Sequence, residues 1–185
     1  MLLEPLRRAL QRQGFRAVNW RYRSLCGSIE THATALTAKA GALDEASDVE
    51  RLHFVGHSMG AIVVRRALAL SRPRKLGRVV LLAPPNHGAR LADLALRLFG
   101  PRIPAASELC SHPDSYVNRL APAADLDCGI IAAAWDHAVS LASTHLPGER
   151  DHIILRSLHT LPLHRHAPAQ VGQFLREGRF QHASG

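Results

Sequence analysis

Long apolar runs and paired cysteines are missing from this sequence. No stretch reaches the roughly 18 unbroken apolar residues that a membrane-spanning helix requires. The three cysteines are odd in number, widely spaced and contain no C-x-x-C pair; they are Cys26, Cys110 and Cys128. These absences argue against a transmembrane protein, a disulfide framework and a thiolate zinc site.

Concentrated positive charge is also absent, although the chain as a whole is basic. Its 23 Lys and Arg outnumber 15 Asp and Glu, which gives a net charge of +8. The arginines are scattered as singles or pairs such as Arg65-Arg66, and aromatic residues make up only 5% of the chain. A nucleic-acid site combines a basic patch with aromatic side chains on which bases stack. We therefore expect a solvated basic surface and no nucleic-acid partner.

The amino terminus lacks the features of a secretory signal. A signal peptide has a basic segment ahead of an apolar core, whereas this chain has Glu4 and Pro5 near its start. We expect no signal peptide and no transmembrane helix in this sequence. The location is therefore unknown and cytoplasmic by default, and a missing N-terminal segment that carried an export signal would change it.

Four short apolar runs predict the strands of a sheet. The chain has 185 residues, 46% of them apolar, which suits one domain over residues 1–185. Segments with helical spacing separate the runs, and strands that alternate with helices are typical of a parallel α/β sheet. The predicted strands are residues 52–55, 79–83, 130–134 and 152–155.

Further elements are predicted from periodicity and from capping residues. Helices are expected at residues 2–13, at 28–46 with Ser28 as N-cap, after the first strand, and at 169–177, with another strand at 15–21. The mixed stretch 86–127 is expected to be a lid or an insertion. Its helical piece, 91–99, either covers an acyl pocket or packs against the sheet.

The segment Gly56-His57-Ser58-Met59-Gly60 matches the pattern G-x-S-x-G. An apolar run precedes it and an apolar helix follows it, which is the setting of a nucleophile elbow. Glycines two residues before and after Ser58 let the strand and the helix approach without a Cβ clash. The backbone N–H of Met59, at the helix start, would then point toward a developing oxyanion.

A serine nucleophile needs a histidine base and a carboxylate that fixes the histidine tautomer. The chain contains 12 histidines, so position must decide. In this type of fold the order is serine, acid, histidine, with the partners after late strands. Asp136 follows the third predicted strand and His159 follows the fourth. Asp151 is the alternative acid, although its place before a strand favours a structural role.

Three segments resemble the bacterial lipase and esterase branch of the α/β-hydrolase superfamily. They are Gly56 to Gly60, Leu82-Ala83-Pro84-Pro85-Asn86-His87-Gly88, and residues 140–180 with Ser157-Leu158-His159-Thr160. The resemblance covers most of the chain apart from about 102–127. It implies an α/β-hydrolase fold, a mostly parallel sheet with helices on both faces, and Ser58, His159 and Asp136 as nucleophile, base and acid.

The resemblance also implies a function. A serine hydrolase of this kind cleaves carboxylic esters, here of an acyl-lipid-like substrate, through an acyl-enzyme and without a metal or organic cofactor. Peripheral contact with a membrane or lipid surface would suit such a substrate. His57, Pro85, Asn86 and His87 are candidates to line the pocket, although a plain turn explains the last three as well.

One departure from the family pattern affects the expected oxyanion hole. The family begins with a strand and a His-Gly loop that donates a second oxyanion N–H, whereas this sequence starts at the helix that follows. We therefore expect an N-terminally truncated fold in which Met59 is the remaining donor. A degenerate, non-catalytic binding module and an acyltransferase stay open as alternatives. His53 and His57 lack the helix and glutamate of a zinc protease, so no metal site is expected there.

Overall fold

A sheet of four parallel strands forms the centre of the molecule. The computed structural model describes residues 2–23, 26–121 and 125–182. The strands are arranged in the order β1-β2-β3-β4. They are β1 (Leu52–His57), β2 (Leu76–Leu82), β3 (Cys128–Ala133) and β4 (Asp151–Leu155). Each overlaps a predicted run, so the predicted α/β class and parallel sheet are confirmed.

Helices cover both faces of this sheet, as expected. Those in the described residues are α1 (Glu4–Arg12), α2 (Ile29–Glu45), α3 (Met59–Leu70), α4 (Arg90–Phe99), α5 (Pro104–Leu109), α6 (Leu141–Thr144) and α7 (Ala167–Glu177). The predicted cap of α2 is present, because the Ser28 side chain accepts a hydrogen bond from the Thr31 N–H at 3.1 Å. This bond satisfies one of the free N–H groups at the helix start.

Alternation of side chains along the strands divides the core into two layers. Val79 and Leu81 pack with α2 and α3, whereas Val80 and Leu82 pack with α1 and α7. All six residues of β3 are buried. A strand covered on both faces has no solvent side, which is why these runs are continuously apolar and not alternating.

The prediction of a strand at residues 15–21 was wrong. Within the described part of the chain, β1 is an edge of the sheet and no backbone ladder joins it to this segment. The segment approaches the sheet through side chains instead, as where the Phe15 ring meets His53 edge-on at 6.2 Å. Its side chains are alternately half-buried and exposed from Phe15 to Asn19. That pattern reports an extended chain on a surface, and a strand requires a paired backbone as well.

The segment between β2 and β3 packs on the side of α2 and α3. Glu108, in α5, accepts a hydrogen bond from the Ile29 N–H at 3.0 Å, and the Tyr116 hydroxyl donates to Glu30 at 2.5 Å. These bonds attach α5 and the chain after it to the start of α2. No helix in residues 2–23, 26–121 or 125–182 combines the length and hydrophobicity needed to cross a bilayer.

Candidate active site

Ser58 occupies the sharp turn between β1 and α3. Its backbone has φ 52° and ψ −128°, a conformation that is costly for a residue with a side chain. The turn is held against the neighbouring strand, because the Ser58 N–H donates to the Leu82 carbonyl at 2.9 Å. A Cβ at Gly56 would lie 2.6 Å from the Ala61 Cα, so only glycine allows the helix to start this close to the strand. This is the geometry of a nucleophile elbow.

The structure brings the three predicted residues Ser58, His159 and Asp136 together. The Nε2 atom of His159 lies 2.9 Å from the Ser58 Oγ, and its Nδ1 atom lies 2.7 Å from the Asp136 Oδ2. The residues follow the carboxyl ends of β1, β4 and β3, which meet at one edge of the parallel sheet. A continuous line of hydrogen bonds therefore runs from serine through histidine to aspartate.

The surroundings of Asp136 fix the protons along this line. Burial acts to raise its pKa, but hydrogen bonds from His159 and from the Val139 and Ala138 N–H groups outweigh it and hold the pKa below the ordinary value. Its side chain is 2% exposed. An ionised carboxylate only accepts hydrogen bonds, so the His159 Nδ1 carries a proton and its Nε2 offers a lone pair to Ser58.

The His57 side chain forms a hydrogen bond with the backbone of His159. Its Nε2–H donates to the His159 carbonyl at 2.8 Å, and the two rings lie 4.9 Å apart. Burial lowers the pKa of His57 to about 4, so the ring is neutral near pH 7. The sequence predicts His57 as a pocket residue, and in the structure its contact is with the backbone of the histidine loop.

The predicted pocket residues after β2 have different environments. Pro85 and Asn86 are buried, and His87 is exposed. The Asn86 amide donates to the Thr144 carbonyl at 2.7 Å and accepts from the Arg65 guanidinium at 2.9 Å. Burial lowers the pKa of Arg65 to about 10. Asn86 therefore fastens the β2 loop to α6 and α3, and a role of this loop in lining a pocket stays a prediction.

The alternative acid, Asp151, lies at the opposite end of the neighbouring strand. It accepts hydrogen bonds from the Phe180 N–H at 2.7 Å and from its neighbour His152 at 2.8 Å, and it bonds the His182 ring at 2.9 Å. These partners attach the chain after α7 to the start of β4. The geometry favours Asp136 as the partner of His159.

Two further groups lie close to Ser58. The Met59 N–H is the first of α3 and has no carbonyl of that helix to bond, and its role as an oxyanion donor stays a prediction. Tyr22, which the sequence gives no reason to select, reaches the same turn: a Cβ at Gly60 would lie 3.4 Å from its hydroxyl. Burial raises the pKa of Tyr22 to about 12, so this hydroxyl stays protonated.

Comparison of the sequence with models of protein families identifies the family of this chain. The sequence model described as the alpha/beta hydrolase family matches residues 2–177. The chain belongs to this family. The strained serine at the elbow and the parallel sheet are features of this family that the structure of this chain contains. A search of curated proteins found no match.

Solved structures of hydrolases share this family fold. An enol-lactonase from Burkholderia xenovorans LB400 is 19% identical, with a TM-score of 0.59, over 95% of this chain and 86% of its own. The mature lipase BlEst2 from Bacillus licheniformis is 17% identical, with a TM-score of 0.57, over 72% of this chain and 68% of its own. Phospholipase PlaB from Legionella pneumophila is 19% identical, with a TM-score of 0.63, over 78% of this chain. This chain covers 40% of that phospholipase. At such identities the likeness shows the fold alone.

Proposed function

We propose that this chain is a serine hydrolase that cleaves carboxylic esters of acyl-lipid type. The observation that carries the proposal is the hydrogen-bonded line from the Ser58 Oγ through both nitrogens of the His159 ring to Asp136. A serine hydroxyl is a weak nucleophile until a base removes its proton, and this line supplies the base and its orienting carboxylate.

In the acylation step, the Ser58 Oγ attacks the ester carbonyl carbon while the His159 Nε2 takes the hydroxyl proton. The carbonyl oxygen becomes an oxyanion beside the Met59 N–H. When the C–O bond to the alcohol breaks, His159 returns the proton to the leaving oxygen, and the acyl group stays on Ser58. Asp136 remains ionised and stabilises the imidazolium that forms.

Water completes the cycle by the same route. His159 removes a proton from water as its oxygen attacks the acyl carbon, and the proton then goes to the Ser58 Oγ as the acid is released. A neutral, half-buried His57 keeps a second positive charge away from the imidazolium, because its pKa is lowered to about 4 by burial. The cycle therefore needs only groups that lie at the carboxyl end of the sheet.

Exposed apolar side chains support a substrate with an acyl chain. One side of α4 presents four large residues that are each at least half exposed: Leu91, Leu94, Leu98 and Phe99. The start of α4 lies beside the acid loop, since the Leu91 N–H donates to the Ala138 carbonyl at 3.4 Å. Trp135 and Leu158, the neighbours of the acid and the histidine, are also exposed. We infer that α4 serves as a lid or lipid-contacting element within residues 86–127.

Covalent labelling with a fluorophosphonate tests the proposed nucleophile. We expect one adduct per chain, found by intact mass and mapped to Ser58 by peptide analysis. The adduct should be absent from Ser58→Ala and strongly reduced in His159→Ala, because the unassisted hydroxyl reacts slowly. Ser71→Ala, at the exposed end of α3, is the matched serine control and should label like the wild type. No adduct on the folded wild type, or one at another serine, would overturn the proposal.

A series of p-nitrophenyl esters tests the substrate class separately. If the apolar side of α4 meets the acyl chain, kcat/KM should rise from acetate to octanoate, since each buried CH₂ contributes about 0.8 kcal/mol. A flat series from a chain that labels at Ser58 would retain the serine hydrolase and reject the acyl-lipid substrate.

A further inference from the structure

A second cluster of reactive side chains lies where α6 leads into β4. His145, Glu149 and His152 each offer one ligand atom, and these atoms all lie within 4.8 Å of one another. His145 directly follows α6, and His152 is the second residue of β4. Ser58, Asp136 and His159 do not take part in this cluster. Its spacing, His-x3-Glu-x2-His, is not selected by the sequence analysis because neither a helix nor a known motif contains it.

The carboxylate of the cluster is held in place by its own turn. The Glu149 Oε2 accepts a hydrogen bond from the Leu146 N–H at 2.8 Å, while Oε1 lies 2.8 Å from the His145 Nδ1. The side chain is largely buried. A ligand that is already oriented loses little conformational entropy when a cation binds.

The protons on His152 are also determined. Thr144 has one hydroxyl proton, which it donates to the Leu141 carbonyl at 2.7 Å. Its Oγ1 must therefore accept from the His152 Nε2–H, at 3.0 Å, which leaves a lone pair on the His152 Nδ1. A neutral imidazole whose other N–H is fixed by a hydrogen bond is the usual metal-binding form.

His145 is the exposed member of the cluster. Its ring stacks on that of His152, with the centroids 4.2 Å apart and the planes 16° apart. Nitrogen lone pairs lie in the ring plane, so stacked rings have to turn before both can point at one ion. The His145 side chain is 58% exposed, so its ring has solvent on one side in which to turn.

We propose that His145, Glu149 and His152 form a binding site for a divalent cation of the Zn²⁺ class. Two imidazole nitrogens and one carboxylate oxygen, with water in the fourth position, are a set that tetrahedral Zn²⁺ accepts. Imidazole nitrogen favours Zn²⁺, Co²⁺ and Ni²⁺, whereas Ca²⁺ and Mg²⁺ favour sites built from oxygen. The ion would join the end of α6 to the strand that leads to His159, and it takes no part in the proposed ester hydrolysis.

Calorimetric titration of the full chain with ZnCl₂ tests this site, together with visible absorption after CoCl₂ addition. We expect one Zn²⁺ per chain and the absorption bands of tetrahedral Co²⁺. His145→Ala, at an exposed position that folding does not require, should weaken Zn²⁺ binding at least about tenfold and abolish the bands. The matched control is the double variant His164→Ala/His166→Ala, which removes another pair of neighbouring histidines and should bind like the wild type.

The hydrogen bond to His152 gives a second arm. Thr144→Val removes the acceptor of its Nε2–H and should weaken Zn²⁺ binding about 10–100-fold, while Thr144→Ser keeps the hydroxyl and the affinity. Circular dichroism checks folding, and the His145 arm decides the outcome if Thr144→Val does not fold. Zn²⁺ binding that is unchanged in His145→Ala, lost equally in the control, or matched by Mg²⁺ would overturn the proposal. Neither arm depends on turnover, so failure here leaves the proposed hydrolase untouched.

Discussion

Asp136 and Asp151 lie at opposite ends of the neighbouring strands β3 and β4, and they have the same kinds of hydrogen-bonding partners. Each carboxylate accepts two backbone N–H groups and bonds one histidine ring, His159 for Asp136 and His182 for Asp151. The ring contacts are 2.7 Å and 2.9 Å. A histidine bonded to an aspartate is therefore not by itself a sign of catalysis in this molecule.

The two pairs differ in the partner of the second ring nitrogen of the histidine and in the solvent exposure of that histidine. The second nitrogen of His159 faces the Ser58 hydroxyl, on an elbow whose backbone is strained. His182 is 62% exposed and attaches the chain after α7 to the sheet. Buried hydrogen bonds of charged groups are stronger because water does not compete. Location on the parallel sheet, more than residue type, is thus the basis on which we propose a role in chemistry for one pair and in stability for the other.

Removal of each histidine is the strongest test of this comparison. We expect His159→Ala to lower kcat for a soluble ester by about 10⁶-fold, because Ser58 loses its base. His182→Ala should keep kcat within about twofold, as an exposed residue away from the serine. Steady-state hydrolysis of p-nitrophenyl acetate by the two purified variants measures both effects. Equal losses in the two would contradict the assignment.

Neutralisation of each carboxylate separates the two acids. Asp136→Asn should lower kcat by about 10⁴-fold, since an amide no longer holds the His159 tautomer with Nδ1 protonated. Asp151→Asn should leave kcat unchanged and lower the free energy of unfolding by about 1–2 kcal/mol, through weaker bonds to the chain after α7. Ester hydrolysis and urea unfolding of both variants give the two readings. The opposite result would make Asp151 the acid.

Much of the sheet is predictable from the sequence because burial on both faces leaves a simple signal. The runs 79–83 and 130–134 are apolar at every residue, and β2 and β3 overlap them. The incorrect prediction of a strand at residues 15–21 arose from a local pattern that has no paired backbone. The side chains from Phe15 to Asn19 do alternate between half-buried and exposed, but a ladder also requires a neighbouring backbone, which no local pattern specifies.

The candidate site is predictable where it depends on chain order. Parallel strands bring their carboxyl ends together, so residues placed after β1, β3 and β4 meet, as Ser58, Asp136 and His159 do. Contacts that depend on loop path and side-chain rotamer are not predictable in this way. The bond from His57 to the His159 carbonyl joins residues 102 positions apart. Its partner is a backbone oxygen, which leaves no trace in the sequence.

This bond from His57 gives the smallest effect and sharpens the comparison, because among the described residues it supports the histidine that faces Ser58 and has no counterpart at His182. Burial holds the folded-state pKa of His57 at about 4, below the ordinary value of 6.5. Between these two values the unfolded chain binds more protons than the folded one. The stability that a neutral His57 contributes is therefore complete above pH 6.5 and is lost as the pH falls toward 4.

Urea unfolding at several pH values measures this contribution. From about pH 7.5 to about pH 5, His57 should account for a loss of about 2 kcal/mol in the free energy of unfolding. His57→Gln keeps a donor for the His159 carbonyl but does not titrate, so its stability should fall less over the same range. Other histidines with lowered pKa values, such as His53 and His152, titrate in both proteins and cancel in the difference. Parallel curves for the two proteins would show that His57 is not held as a neutral ring in the folded chain. His159 would then lack the support that distinguishes it from His182, the histidine bonded to Asp151.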